Sequence, residues 1–275
     1  MRLLQAAGAL SALLILVVAN SFLHSGENPL NPVAAAAERT ADVDGLRFTM
    51  TVRTTSEAHR PRLDHGAGAV NLETEMALVR FSGVTEDGER MSGDMVVEGE
   101  DAIYMRSPQF RGRLPEGKEW AKMDPSLATS EDSVPAESPD GSLGMLTVSD
   151  RVHLAGHARV QGNRVSRYVS SFEIGEAAAE LRAKGEDDLA DKCEHLASQV
   201  VGPVRAEAFV DGKGLVRRIH IRMASTASGP VETIDSTMNF FAFGSHPDIQ
   251  VPPEGLVFDM TPLLEQQQEA LGQSS

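Results

Sequence analysis

The sequence predicts an α+β domain: about ten antiparallel strands in one large curved sheet, accompanied by one or two helices and preceded by an apolar N-terminal helix. Three observations carry this. "LRFTMTVRT" alternates apolar and polar residues with a period of two, the mark of a half-buried antiparallel strand. Gly162-Asn163 and "DGKG" stand between such segments as hairpin turns. Helical stretches downstream of the N-terminus are few, the longer ones starting after Asn31 and at Gly175.

From Leu3 to Leu23 no residue is charged. A run of about 20 residues can cross a bilayer as a helix. Arg2 before it and Glu27 after it favour an amino terminus in the cytoplasm and the remainder outside. Residues 1–24 therefore read as a signal anchor, or as a signal peptide cleaved near Ala19-Asn20-Ser21. Either reading exports the rest of the chain. Residues 25–31 are a polar, proline-broken linker, and the domain is expected over 32–260.

The domain opens on "PVAAAAERTADVD", a helix with Asn31 as N-cap and Pro32 in its first turn. The first strand puts Phe48, Met50 and Val52 on one face and Arg47, Thr49, Thr51 and Arg53 on the other. "AVNLETEMALVRF" reads as a single alternating strand whose Val70, Leu72, Thr74, Met76 and Leu78 share a face. "RMSGDMVVEG" groups Met91, Gly93, Met95 and Val97. "AIYMR" and "EWAKM" are short strands across a long loop with Pro108 and Pro115. The Ser-, Pro- and acid-rich stretch 126–142 is a loop, and "GSLGMLTVSD" a short helix. "GEAAAELRAKGEDDLADKCEHLASQVV" is a helix broken around Gly185, with Leu189, Cys193, Leu196 and Val200 on its apolar face. "VETIDSTMNFFAF" is a last long strand, and residues 261–275 a flexible polar tail.

A net charge of −15 argues against nucleic acid, which needs clustered Lys and Arg, and against docking on an anionic lipid surface by charge alone. One cysteine excludes an internal disulfide. Cys193 on an apolar helix face is expected to be a buried, inert thiol. His153 and His157 share a strand face but lack a third ligand nearby. No phosphate-cradling loop, zinc-protease helix or nucleophile elbow occurs, so no enzymatic activity, metal or cofactor is expected.

"GEDAIYMRSP", "LPEGKEWAKMD", "HARVQGNRVSRY", "VDGKGLVRRIHI" and "FFAFGSHPDIQVPP" occur in this order along the chain. Together they resemble the actinobacterial LppX/LprA/LprF/LprG envelope lipoproteins, whose fold is like that of LolA and LolB. The match runs from Pro32 to Asp259 and rests on Tyr104, Pro115, Gly117, Trp120, Gly162, Asp211, Gly214, Arg217, Gly244 and Pro252 among others. The resemblance implies a curved antiparallel β half-barrel closed on its concave side by helices, with a cavity for the acyl chains of lipids or lipoglycans. It implies a role in carrying or presenting them at the cell envelope. Lipidated members carry a cysteine directly after the signal sequence. This chain has none there, which leaves Leu3–Leu23 as the membrane tether.

The candidate cavity lining is Phe48, Met50, Val52, Met76, Leu78, Met91, Met95, Val97, Met223 and Met238. With 11 methionines and only 5% aromatic residues, the chain favours flexible thioethers, which adapt to variable alkyl chains. Taken singly, each methionine also suits an ordinary core. Tyr104 and Trp120 are candidates for the cavity mouth, against the favoured role of anchoring the loop around Pro115. The alternative function is an envelope sensor or protein-interaction domain of the same architecture, with no obligatory ligand.

Overall fold

A computed structural model describes residues 32–85, 88–99, 101–128, 152–183, 185, 187–226 and 229–272. Twelve strands among them form one sheet. They are β1 (Gly45–Ser56), β2 (Arg62–Asn71), β3 (Met76–Val84), β4 (Arg90–Glu98), β5 (Ala102–Arg106), β6 (Trp120–Met123), β7 (His153–Val160), β8 (Asn163–Phe172), β9 (Val200–Asp211), β10 (Val216–Ser225), β11 (Glu232–Phe241) and β12 (Val257–Asp259). The order across the sheet is β12-β6-β5-β4-β3-β2-β1-β11-β10-β9-β8-β7. Two meanders, β1–β6 and β7–β11, thus meet where β1 pairs with β11. Every pairing is antiparallel except β12 with β6.

The helices are α1 (Pro32–Ala41), α2 (Pro125–Ala128), α3 (Ile174–Ala183), α4 (Asp187–Ala197) and α5 (Thr261–Gly272). Helix α1 packs on β9 and β10, and α3 and α4 pack on β9. Small residues make this possible: Ala36 and Ala37 of α1 and Ala177 and Ala178 of α3 lie in one buried cluster with Ala206 and Ala208 of β9. A polar tie fixes α1, as the Thr40 hydroxyl donates to the Ala36 carbonyl at 2.7 Å and accepts the Val216 N–H at 2.9 Å. We call the sheet face under these helices the inner face.

Four sequence expectations need correction. The stretch 69–81 is two strands, not one. Asn71 ends β2, and its side-chain oxygen accepts the Glu73 and Thr74 N–H groups, while Glu75 adopts φ 54°. This Asn-built turn reverses the chain before Met76. The strands number twelve because β12 joins the edge. Residues 261–272, expected within a polar tail, form α5, whose Thr261 N–H is capped by the Asp259 carboxylate at 2.9 Å. The β7–β8 turn is Gln161-Gly162, both at positive φ, one residue earlier than expected. The N-terminal apolar helix and the short helix of "GSLGMLTVSD" lie outside the described residues. Among the described residues, no helix is long and apolar enough to cross a membrane.

Candidate functional site: the inner face of the sheet

Inner-face side chains are set by register. Phe48 of β1 stands opposite Phe240 of β11 and Gly68 of β2, and the row continues through Val79 and Met95 to Met105. The next row joins Met50, Met238, Ile219 and Ala208. All but Gly68 belong to one apolar cluster that also takes in the helices. Of the predicted lining, Phe48, Met50, Val52, Met91, Met95, Val97, Met223 and Met238 are buried in this cluster.

Two aromatic rings lie flat because glycine faces them. A Cβ on Gly68 would meet the Phe48 ring at 2.6 Å, and one on Gly93 would meet the Phe81 ring at 2.6 Å. Bare backbone under each ring keeps the inner face shallow on the β1–β5 side, where a branched residue would push the ring outward.

Met76 and Leu78 are not on this face. The turn at 72–75 resets the alternation, so Ala77, Val79 and Phe81 point inward while Leu78 stands 37% exposed on the opposite, outer face. Met76 joins a separate outer cluster with Val96, Ala102, Tyr104 and Trp120. Tyr104 and Trp120 therefore do not line an inner-face mouth. The C-terminal segment closes over them through Ile249, Leu256 and Val257. The Tyr104 hydroxyl donates to Glu98 at 2.9 Å, and burial together with this carboxylate pushes its pKa up to about 12. Arg106 stacks over Trp120 at 4.8 Å. Sequence reasoning missed Val79, Phe81, Ile103 and Met105. The last two were legible, since they flank Tyr104 and must face away from it.

One end of the inner face is polar. Asp64, only 5% exposed, sits over Gly83, accepts the Val84 N–H at 3.3 Å and lies 3.5 Å from Arg62. Burial raises the Asp64 pKa against the pull of Arg62. Cys193 is buried in the cluster, and desolvation pushes its thiol up to about 11, so it is an unreactive packing residue. His157 lies 3.5 Å from the Ser166 hydroxyl, and among the described residues no group of three or more His, Cys, Asp or Glu could hold a metal. A cleft of about 1120 Å³ opens on the outer side, between β2–β5 and the loop through Pro115; Arg80, Asp94, Arg106 and Glu119 bring charge to its walls.

No family model and no curated protein sequence matches the chain. Among solved structures, it is similar in fold to the lipoprotein LppX of Mycobacterium tuberculosis, at TM-score 0.44 and 12% identity over 82% of this chain and 100% of that one. It is similar to LprF of Mycobacterium bovis, at TM-score 0.43 and 8% identity over 83% of this chain and 99% of that one. A LolA superfamily protein of Nitrosomonas europaea aligns at TM-score 0.32 and 8% identity, over 80% and 93% of the two chains.

Proposed function

We propose that this protein is an exported lipid-binding protein. It holds acyl chains of lipids or lipoglycans against the inner face of the sheet, for transport or presentation at the cell envelope, and it stays at the membrane through Leu3–Leu23. The observation that carries the reading is the make-up of one continuous apolar face. Under the helices on β9 and β10 it includes the alanines of β9, whereas on the β1–β5 side it is built from Phe48, Met50, Met91, Met95 and Met105, all buried in the same cluster. Unbranched thioethers repack around a guest at little strain, and each methylene buried contributes roughly 0.8 kcal/mol without any specific polar contact. The outer-side cleft, by contrast, meets a guest with the charged Arg80, Asp94 and Arg106. The resemblance noted in the sequence implies the same guest class. The proposed role is binding.

The test is native mass spectrometry on protein purified from its own host type, followed by delipidation and titration with a fluorescent fatty acid. Co-purifying lipid masses and saturable probe binding are expected. Met95→Arg, placed at the centre of the proposed lining, should abolish probe binding. Delipidated, folded protein that refuses the probe would remove the lipid-binding reading.

A further inference from the structure

The outer face of the sheet carries charge opposite in sign to the whole chain. Register sets Arg205 of β9, Arg222 of β10, Asp235 of β11 and Arg53 of β1 in one cross-strand row on that face. Arg218 stands further along β10, and Arg47 further along β1, both on the same side. Arg47, Arg53, Arg205 and Arg222 are exposed. The two acids here are already engaged. Asp235 lies 3.0 Å from His220, and Arg167 grips Glu207 through two contacts of 2.5 and 2.9 Å. Arg218 donates to the neutral Asn239 oxygen at 2.7 Å. Among the described residues, no carboxylate pairs with Arg47, Arg53, Arg205 or Arg222. Four unpaired guanidiniums on one face stand out in a chain with 40 acids against 25 Lys and Arg.

We propose that this outer face docks on a bilayer surface rich in anionic phospholipid headgroups. The guanidinium fork matches phosphate oxygens two at a time. Arg205 and Arg222 stand on adjacent strands, roughly 5 Å apart, and Arg53 lies two strands further on beyond Asp235, a spread that suits a laterally extended array of phosphates better than a single anion. Thr49, Thr51, Thr237 and Asn239 lie between the arginines, where a protein partner would require an apolar centre. The net charge of −15 does not forbid contact. At physiological salt, charges more than about 8 Å from the surface are largely screened, so the contacting face decides. This departs from the expectation drawn from net charge alone, and it does not depend on a guest at the inner face.

The test uses the full chain carrying Ser171→Cys, an exposed outer-face position opposite Arg205, labelled with an environment-sensitive dye. Cys193 is buried and stays unlabelled. On vesicles of phosphatidylglycerol and phosphatidylcholine the dye should shift to an apolar signal, and on phosphatidylcholine alone or at high salt it should not. Each single change R53Q, R205Q or R222Q should weaken the anionic response about fivefold. The corresponding lysine variants should retain most of it, which separates charge from folding defects. Equal dye signals on both vesicle types, or an anionic response that survives the combined glutamine variant, would overturn the proposal. Because the N-terminal segment would insert into either vesicle, only the dye's dependence on lipid charge counts.

Discussion

The two meanders of the sheet bury their inner faces in different ways. In β7–β11, alanines on β9 meet alanines on α1 and α3, so backbone approaches backbone and the layer is thin. In β1–β5, large flexible side chains and flat phenylalanines over glycine form the inner surface. The contrast teaches that one half is built as a clamp and the other as an adaptable floor. Rigid small-residue contact fixes geometry, while methionine tolerates a change of neighbour.

The sharpest way to break this comparison is Gly68→Val. The new Cβ would run into the Leu78 carbonyl and the Phe48 ring, so unfolding free energy should fall by about 3 kcal/mol or more, measured by denaturant titration. If Gly68→Val is tolerated, the flat-ring floor is wrong.

Asp211 tests the clamp half next. Its carboxylate accepts the Lys213 and Leu215 N–H groups and holds Arg217 at 2.6 Å, shaping the β9–β10 turn. Burial pushes its pKa up, but the bonds from Leu215, Arg217 and Lys213 outweigh this and hold it below the usual carboxylate value of 3.8. Asp211→Ala should cost about 2–3 kcal/mol. Because the folded pKa is depressed, the stabilisation is present above pH 3.8 and is lost as pH falls through the folded value. Stability curves of wild type and variant should therefore converge in acid; curves that stay parallel would deny the carboxylate this role.

Met95→Leu separates floor from clamp. Volume is nearly conserved, so stability should change by less than about 1.5 kcal/mol, while probe affinity should shift measurably. Unchanged affinity would make Met95 ordinary core. The smallest effect is expected at the Arg167–Glu207 pair on the outer face. Glu207→Gln should alter stability by no more than about 1 kcal/mol and lose even that at high salt.

Much of this architecture is legible in the sequence, for reasons that also explain the errors. Phe48, Met50 and Val52 alternate within an uninterrupted strand, so their shared face can be read from period two. Met91, Met95 and Val97 are legible for the same reason. Met76 and Leu78 mislead because an apolar alternation runs on through the turn at 72–75, and parity does not survive a reversal. The outer position of Tyr104 and Trp120 is hidden for another reason. It is set by the C-terminal segment, far along the chain, whose Ile249 and Val257 carry no local sign of their partners. The basic outer face is half visible: alternation puts Arg47 and Arg53 on one side, but their joining with Arg205 and Arg222 depends on strand order.

The three-residue strand β12 has a bearing on how the chain comes to be folded. It is the last of the twelve strands to be made, yet it covers the free edge of β6, and the residues just before it shield Trp120 and Tyr104. While the chain is still emerging, that edge offers unpaired amides and carbonyls beside bare aromatic surface, a template for pairing with a neighbouring molecule. The opposite border, β7, has a bulge between Leu154 and Gly156 as its own guard. A chain shortened before Val257 would keep eleven strands but leave the β6 edge unpaired beside Trp120 and Tyr104, where intermolecular pairing is expected.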